Sequence, residues 1–112
     1  SGGNQQKVVL AKWLGLNTRV ILFDEPTRGI DINGRRDFYN VITGLAKNGT
    51  SVIVFTSDYA EAIHLANRIF VLREGTIAAS FSNNGTIDEA TLLGIAAGST
   101  SGSSGTDLES DK

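Results

Sequence analysis

Two apolar runs of strand length, VILF at residues 20–23 and VIVF at 52–55, constrain what this chain can fold into more than any other feature. Both are rich in β-branched residues and lack polar alternation, the pattern of strands covered on both faces in a parallel sheet. Between them, Phe38, Val41, Ile42 and Leu45 recur at helical spacing within residues 34–47, and Asn48-Gly49 supplies a stop. Strand, helix and strand within 20–55 therefore predict a crossover unit with a right-handed connection. The first run does not end like a plain strand. It delivers Asp24 and Glu25 with no spacer, two neighbouring carboxylates that repel each other and are costly to desolvate.

The rest of the chain reads as further short elements. Residues 4–16 carry good helix formers, with Val9, Trp13 and Leu16 on one face. A short helix is expected over 58–66 with Asp58 as its N-cap. Strands 68–72 and 76–81 then pair as a hairpin around Arg73-Glu74-Gly75. A last helix over 88–97 is opened by Thr86 or Asp88. Beyond it the chain is almost purely Gly, Ser, Thr and charge, too poor in apolar surface to offset its ordering entropy. Residues 1–98 are thus the expected folded part, and 99–112 a disordered Gly/Ser-rich tail.

Composition narrows the function classes. A 40% hydrophobic content supports a core, and a net charge of −2 offers no nucleic-acid footprint. There is no cysteine, which excludes disulfides and thiolate metal sites. No apolar run approaches the roughly 18–20 residues needed to span a bilayer. With 112 residues and no initiator Met, the chain is expected to be a piece of a longer protein.

An acid pair at the carboxyl end of a buried parallel strand suits nucleotide hydrolysis. Asp24 would bind Mg²⁺, directly or through water, as the acid on that strand does in P-loop NTPases. Glu25 points elsewhere and could polarise the attacking water. The plainer alternative is a strand end capped by two solvated acids. Pro26 ends the strand, Gly29 allows a tight turn, and Asp31 can cap the following helix. At the other end, Ser1-Gly2-Gly3 precedes a helix whose free amides make an anion site, although two glycines there also suit an ordinary loop.

Taken together, SGGNQQ, then VILFDEP and GID, resemble the nucleotide-binding subunit of ABC transporters. Ser1, Gly2, Gly3, Asn4 and Gln5 resemble the signature motif. Residues 20–25 resemble the Walker B strand, with Asp24 at the Mg²⁺ position and Glu25 at the catalytic glutamate, and Gly29-Ile30-Asp31 matches the D-loop. The wording SGGNQQKVVLAKWL and DEPTRGID is similar to the second half of the tandem ATPases of bacterial monosaccharide importers of the ribose, galactose and xylose type. The resemblance implies an α/β fold, part of a P-loop NTPase domain, with parallel core strands, flanking helices, a β-hairpin and a C-terminal helix. It also implies ATP and Mg²⁺ as cofactors and a role in ATP-driven sugar import at the cytoplasmic face of the bacterial inner membrane. The implied partners are a second nucleotide-binding half, membrane permease subunits and, indirectly, a periplasmic sugar-binding protein, with no nucleic acid. In such head-to-tail pairs the signature of one half caps the γ-phosphate held by the other.

Two departures qualify the resemblance. No G-x-x-x-x-G-K-[ST] loop exists within the 112 residues, so ATP would lack its lysine and backbone cradle here and the chain alone is expected to be inactive. Where the family follows its next strand with Thr-His-Asp, residues 56–58 read Thr-Ser-Asp, placing Ser57 at the switch histidine. A serine has no titratable imidazole and a shorter reach. His64 reads as a helix surface residue and Trp13 as core packing. The alternatives are a non-transport ABC ATPase and a half that binds or interacts without hydrolysing.

Overall fold

The computed structural model describes residues 17–99. The expected helix at 4–16, the signature at 1–5 and the tail beyond Ser99 lie outside the described residues. The chain divides into two units, one ending at Ser57 and the other starting at Asp58.

The first unit is the crossover. β1 spans Val20–Asp24, α1 Ile32–Lys47 and β2 Ser51–Phe55. The strands pair in parallel, with Val20 beside Ser51, Leu22 beside Ile53 and Asp24 beside Phe55. α1 starts two residues earlier than its apolar stripe requires because Asp31 caps it, accepting the Gly34 amide at 2.8 Å. It stops where Gly49 takes φ +98° and the Gly49 and Thr50 amides turn back to the carbonyls of Ala46 and Leu45. That is a Schellman closure, and the positive φ is why glycine stands there.

Phe38, Ile42 and Leu45 of α1 are buried. Phe38 is only 2% exposed and meets Phe23 of β1 edge to face, with ring centroids 5.4 Å apart. Ile21, Phe23, Val52 and Val54 share the same side of the two strands by their alternation and register.

The opposite side carries no helix among the described residues, and its apolar side chains are uncovered. Val20, Leu22, Ile53 and Phe55 are exposed, Leu22 by 59%. These four alternate with the covered residues, so this segment leaves one apolar face of the pair open. Contiguous apolar surface of this kind favours association. The chain by itself is therefore expected to be marginal or aggregation-prone. A sharp cooperative melt of soluble monomer above about 60 °C, beyond the middle of the mesophile range, would contradict this.

The second unit contains α2 (Tyr59–Leu65), β3 (Arg68–Arg73), β4 (Thr76–Ser82) and α3 (Glu89–Ala96). Asp58 caps α2 by accepting the Glu61 amide at 3.1 Å. β3 and β4 pair antiparallel around a two-residue turn in which Glu74 and Gly75 take φ +50° and +81°. Two successive positive φ values make the primed turn whose twist suits a hairpin. The strands run one residue further than expected, to Arg73 and Ser82, with a register irregularity between Val71 and Leu72.

Ile69, Val71, Ala79, Phe81, Leu92 and Ile95 form this unit's core between the hairpin and α3. Asn83 donates from its side-chain amide to the carbonyls of Ile63 and Ala66, both at 2.8 Å, tying the end of β4 to the end of α2. Asp88, not Thr86, caps α3, accepting the Thr91 amide at 2.9 Å. Those hydrogen bonds hold the Asp88 carboxyl below its ordinary value. Thr86 instead donates through its hydroxyl and amide to Asn84. The helix ends in a second Schellman closure, with Gly98 at φ +90° and the Ser99 amide donating to the Gly94 carbonyl at 2.8 Å.

Candidate functional site

The candidate site lies within the first unit, at the carboxyl end of the parallel pair. Asp24 is the last residue of β1 and is exposed there. Glu25 follows with its amide donating to the Phe55 carbonyl at 2.7 Å, so the backbone stays bonded to β2 one residue past the strand. The chain then leaves the sheet because Glu25 takes φ +50°, a left-handed conformation disfavoured for a residue with a Cβ.

Residues 25–30 make a compact turn. Arg28 donates from its amide to the Glu25 carbonyl at 3.2 Å, and Ile30 to the Thr27 carbonyl at 3.1 Å. Thr27 and Ile30 are buried, which anchors the turn. Gly29 has φ +80°, so the expected glycine freedom is used. The Arg35 side chain donates to the Ile30 carbonyl at 3.1 Å, joining the turn to the first helical turn.

The Glu25 carboxylate is engaged on both oxygens. Its Oε1 accepts the Ser57 amide at 3.1 Å, and its Oε2 lies 3.3 Å from an Arg28 guanidinium nitrogen. The structure thus brings Glu25 and Ser57 together across 32 residues of sequence, through the Ser57 backbone and not its hydroxyl. Arg28 was not a sequence candidate. The available signal was its i,i+3 spacing from Glu25 in a turn. Asp31 is spent on capping through Oδ1. His64 is an exposed residue of α2, in the second unit.

The donor set bears on Mg²⁺ in one way. No group of three or more Asp, Glu, His or Cys able to hold a metal is assembled among the described residues. A single exposed carboxylate at a strand's carboxyl end nevertheless fits this ion, which commonly uses one or two carboxylates with waters and substrate phosphates. Asp24 would hold it here, and the ion would neutralise phosphate charge.

No protein-family model matches the chain. Individual relatives do. The chain is 42% identical over 98 residues to a ribose import ATP-binding protein of Geobacillus kaustophilus, covering 88% of this chain and 20% of that protein. A ribose import ATP-binding protein of Chromobacterium violaceum is 47% identical, over 88% of this chain and 19% of its own. An arabinose import ATP-binding protein of Yersinia pestis is 48% identical over 92 residues, 82% of this chain and 18% of its own. Among solved structures, the ADP conformation of MJ1267, an ATP-binding cassette of an ABC transporter, aligns with a TM-score of 0.69 at 20% identity, over 88% of this chain and 37% of that one. The dimeric structure of MJ0796, a bacterial ABC transporter cassette, aligns with a TM-score of 0.65 at 31% identity, over 76% and 37%.

The chain is homologous to sugar import ATP-binding proteins and has the fold of an ABC ATPase cassette. It spans about a fifth of the length of the curated relatives it matches. In this cassette segment the crossover supplies parallel strands ending in the acid pair, and α2, the hairpin and α3 belong to the second unit. No helix among the described residues is long and apolar enough to cross a membrane.

Proposed function

We propose that this cassette segment is part of the second nucleotide-binding half of an ATPase that powers monosaccharide import across the bacterial inner membrane. The observation that carries the reading is the acid pair at the end of a parallel strand, in a chain 42–48% identical to ribose and arabinose import ATP-binding proteins. The parent would sit peripherally on the cytoplasmic face, against permease subunits that a periplasmic sugar-binding protein supplies.

Two half-sites fall in this segment. Ser1, Gly2, Gly3, Asn4 and Gln5 would act in trans, their amides and hydroxyl capping the γ-phosphate of ATP bound to the partner half. Asp24, Glu25, Ser57 and Asp31 would serve ATP bound to this half's own lysine loop. Asp24 would be the Mg²⁺ carboxylate, Glu25 would orient the attacking water, and Asp31 would stiffen the turn through its cap. Ser57 donates only a backbone amide toward Glu25, leaving that site without an imidazole for the phosphate. This supports an asymmetric pair in which the partner's site turns over and this half's own site is weak or silent. Residues 1–98 would make the cassette segment, with a Gly/Ser-rich tail from 99 to 112.

The test compares the chain with its parent. The isolated chain has no lysine loop and should neither hydrolyse Mg-ATP nor bind it tightly, while the parent should do both and respond to sugar through its permease. Calorimetry giving the chain a low-micromolar dissociation constant, on the order of −8 kcal/mol, would contradict the proposal.

A further inference from the structure

Glu25 is held to the end of β2 at two points. Its amide donates to the Phe55 carbonyl at 2.7 Å, and its carboxylate accepts the Ser57 amide at 3.1 Å. The first bond continues the strand pairing. The second has no such origin. It accompanies a Glu25 φ of +50°, a left-handed conformation disfavoured for a residue with a Cβ. A local strain of that kind persists only where surrounding contacts over-determine it. Here the contacts are the Ser57 amide bond and the Arg28 ion pair on one carboxylate, beside the buried Thr27 and Ile30 that anchor the turn.

We infer that Glu25 of this half is a positioning residue, a tether whose carboxylate holds the switch loop by the Ser57 backbone amide, with Arg28 as a second pin on the other oxygen. This rests on reading Asp24 and Glu25 as the acid pair of a nucleotide site, and it assigns the second acid a task that survives the loss of turnover. The two donors are not equal. The Arg28 side chain is 73% exposed, so its ion pair is screened by solvent and contributes little. The Ser57 bond is exposed as well, but its donor is backbone and needs no long side chain to be ordered, so it carries the link. Because the donor is backbone, the residue type at 57 is free to depart from histidine without breaking it.

Length of side chain and charge are separable at this position. Asp keeps the charge and suits the left-handed backbone better than Glu, yet is one methylene too short to reach the amide. Gln keeps the length and an accepting Oε1 but carries no charge. A tether therefore ranks Gln above Asp, whereas a general base or a charge requirement ranks Asp above Gln.

The experiment is residue-resolved amide hydrogen exchange at Ser57 in the full-length parent. The expected result is protection in the native protein and in Glu25→Gln, with exchange about tenfold or more faster in Glu25→Asp, the factor for losing a bond to a charged group. Ser57→Ala keeps the amide and should keep the protection. Arg28→Met should accelerate exchange by less than about fivefold, as for an exposed ion pair. An unprotected Ser57 in the native protein, protection retained in Asp but lost in Gln, or no change in any variant would overturn the tether. So would a larger effect from Arg28→Met than from Glu25→Asp. ATP turnover of the unsubstituted parent, measured alongside, reports on the reading under it. Absent turnover would end that reading while the exchange ranking still decides the tether.

Discussion

Gly3→Asp in the parent is expected to reduce steady-state ATP turnover to near zero, while Glu25→Gln leaves a substantial fraction. Gly3 stands in the stretch SGGNQQ, whose backbone amides would meet the γ-phosphate on the partner half. An aspartate there adds a side chain where close approach is needed and a negative charge facing phosphate. Losing even one such stabilising donor typically costs about 10²–10³ in rate. Glu25 belongs to the other half-site, where the switch position is Ser57 and only its backbone amide reaches the carboxylate. Little turnover is left there to lose, and glutamine still accepts that amide. Ser57→His alone should not raise the rate much if the upstream lysine loop is irregular as well, because an imidazole does not restore a phosphate cradle. Steady-state phosphate release from the parent and its three variants checks this. Equal, near-complete loss from Gly3→Asp and Glu25→Gln would mean that both sites work, and the asymmetry would be wrong.

The second large effect is on stability. Phe38→Ala is expected to destabilise the fold by about 3–5 kcal/mol, the usual cost of truncating a fully buried Phe. Phe38 is 2% exposed and holds Phe23 of β1 in an edge-to-face contact. The cavity would open directly under the strand that delivers Asp24 and Glu25. Phe55→Ala is the matched contrast. Phe55 lies on the open face of the pair and is 45% exposed, so its loss removes much less packing. Urea unfolding of the parent at an unchanged slope should show the midpoint falling for Phe38→Ala, and falling less for Phe55→Ala if the parent leaves that face open. If Phe55→Ala proved as costly, the outer face would be covered in the parent by something that buries it.

Local chemistry was legible in the residues themselves. Asp31 and Asp58 were expected as N-caps and both accept amides three residues on. Asn48-Gly49 was expected to stop α1, and a Schellman closure forms there. The turn at Arg73-Glu74-Gly75 narrowed by one residue to a primed Glu74-Gly75 pair. Such signals are readable because cap, stop and turn each act over three to five residues, within reach of one side chain. The choice of Asp88 over Thr86 was not readable, since both offer an oxygen and only packing of α3 on the hairpin selects which residue starts the helix.

What tertiary structure alone decided concerns pairing across distance and coverage. The apolar runs at 20–23 and 52–55 determined two strands and their parallel sense through the helix between them. They could not determine which face α1 covers, because an unbroken apolar strand looks the same from either side. The acid pair at 24 and 25 was visible as an anomaly, and its division of labour was not. Glu25 turns into a left-handed conformation and reaches an amide 32 residues away, a bond that exists only once β1 and β2 lie side by side in register. Sequence determined which chemical groups were available at the strand end. The register of the parallel pair decided which of them meet, because only the folded backbone places the Ser57 amide within hydrogen-bond distance of a carboxylate that has left the sheet.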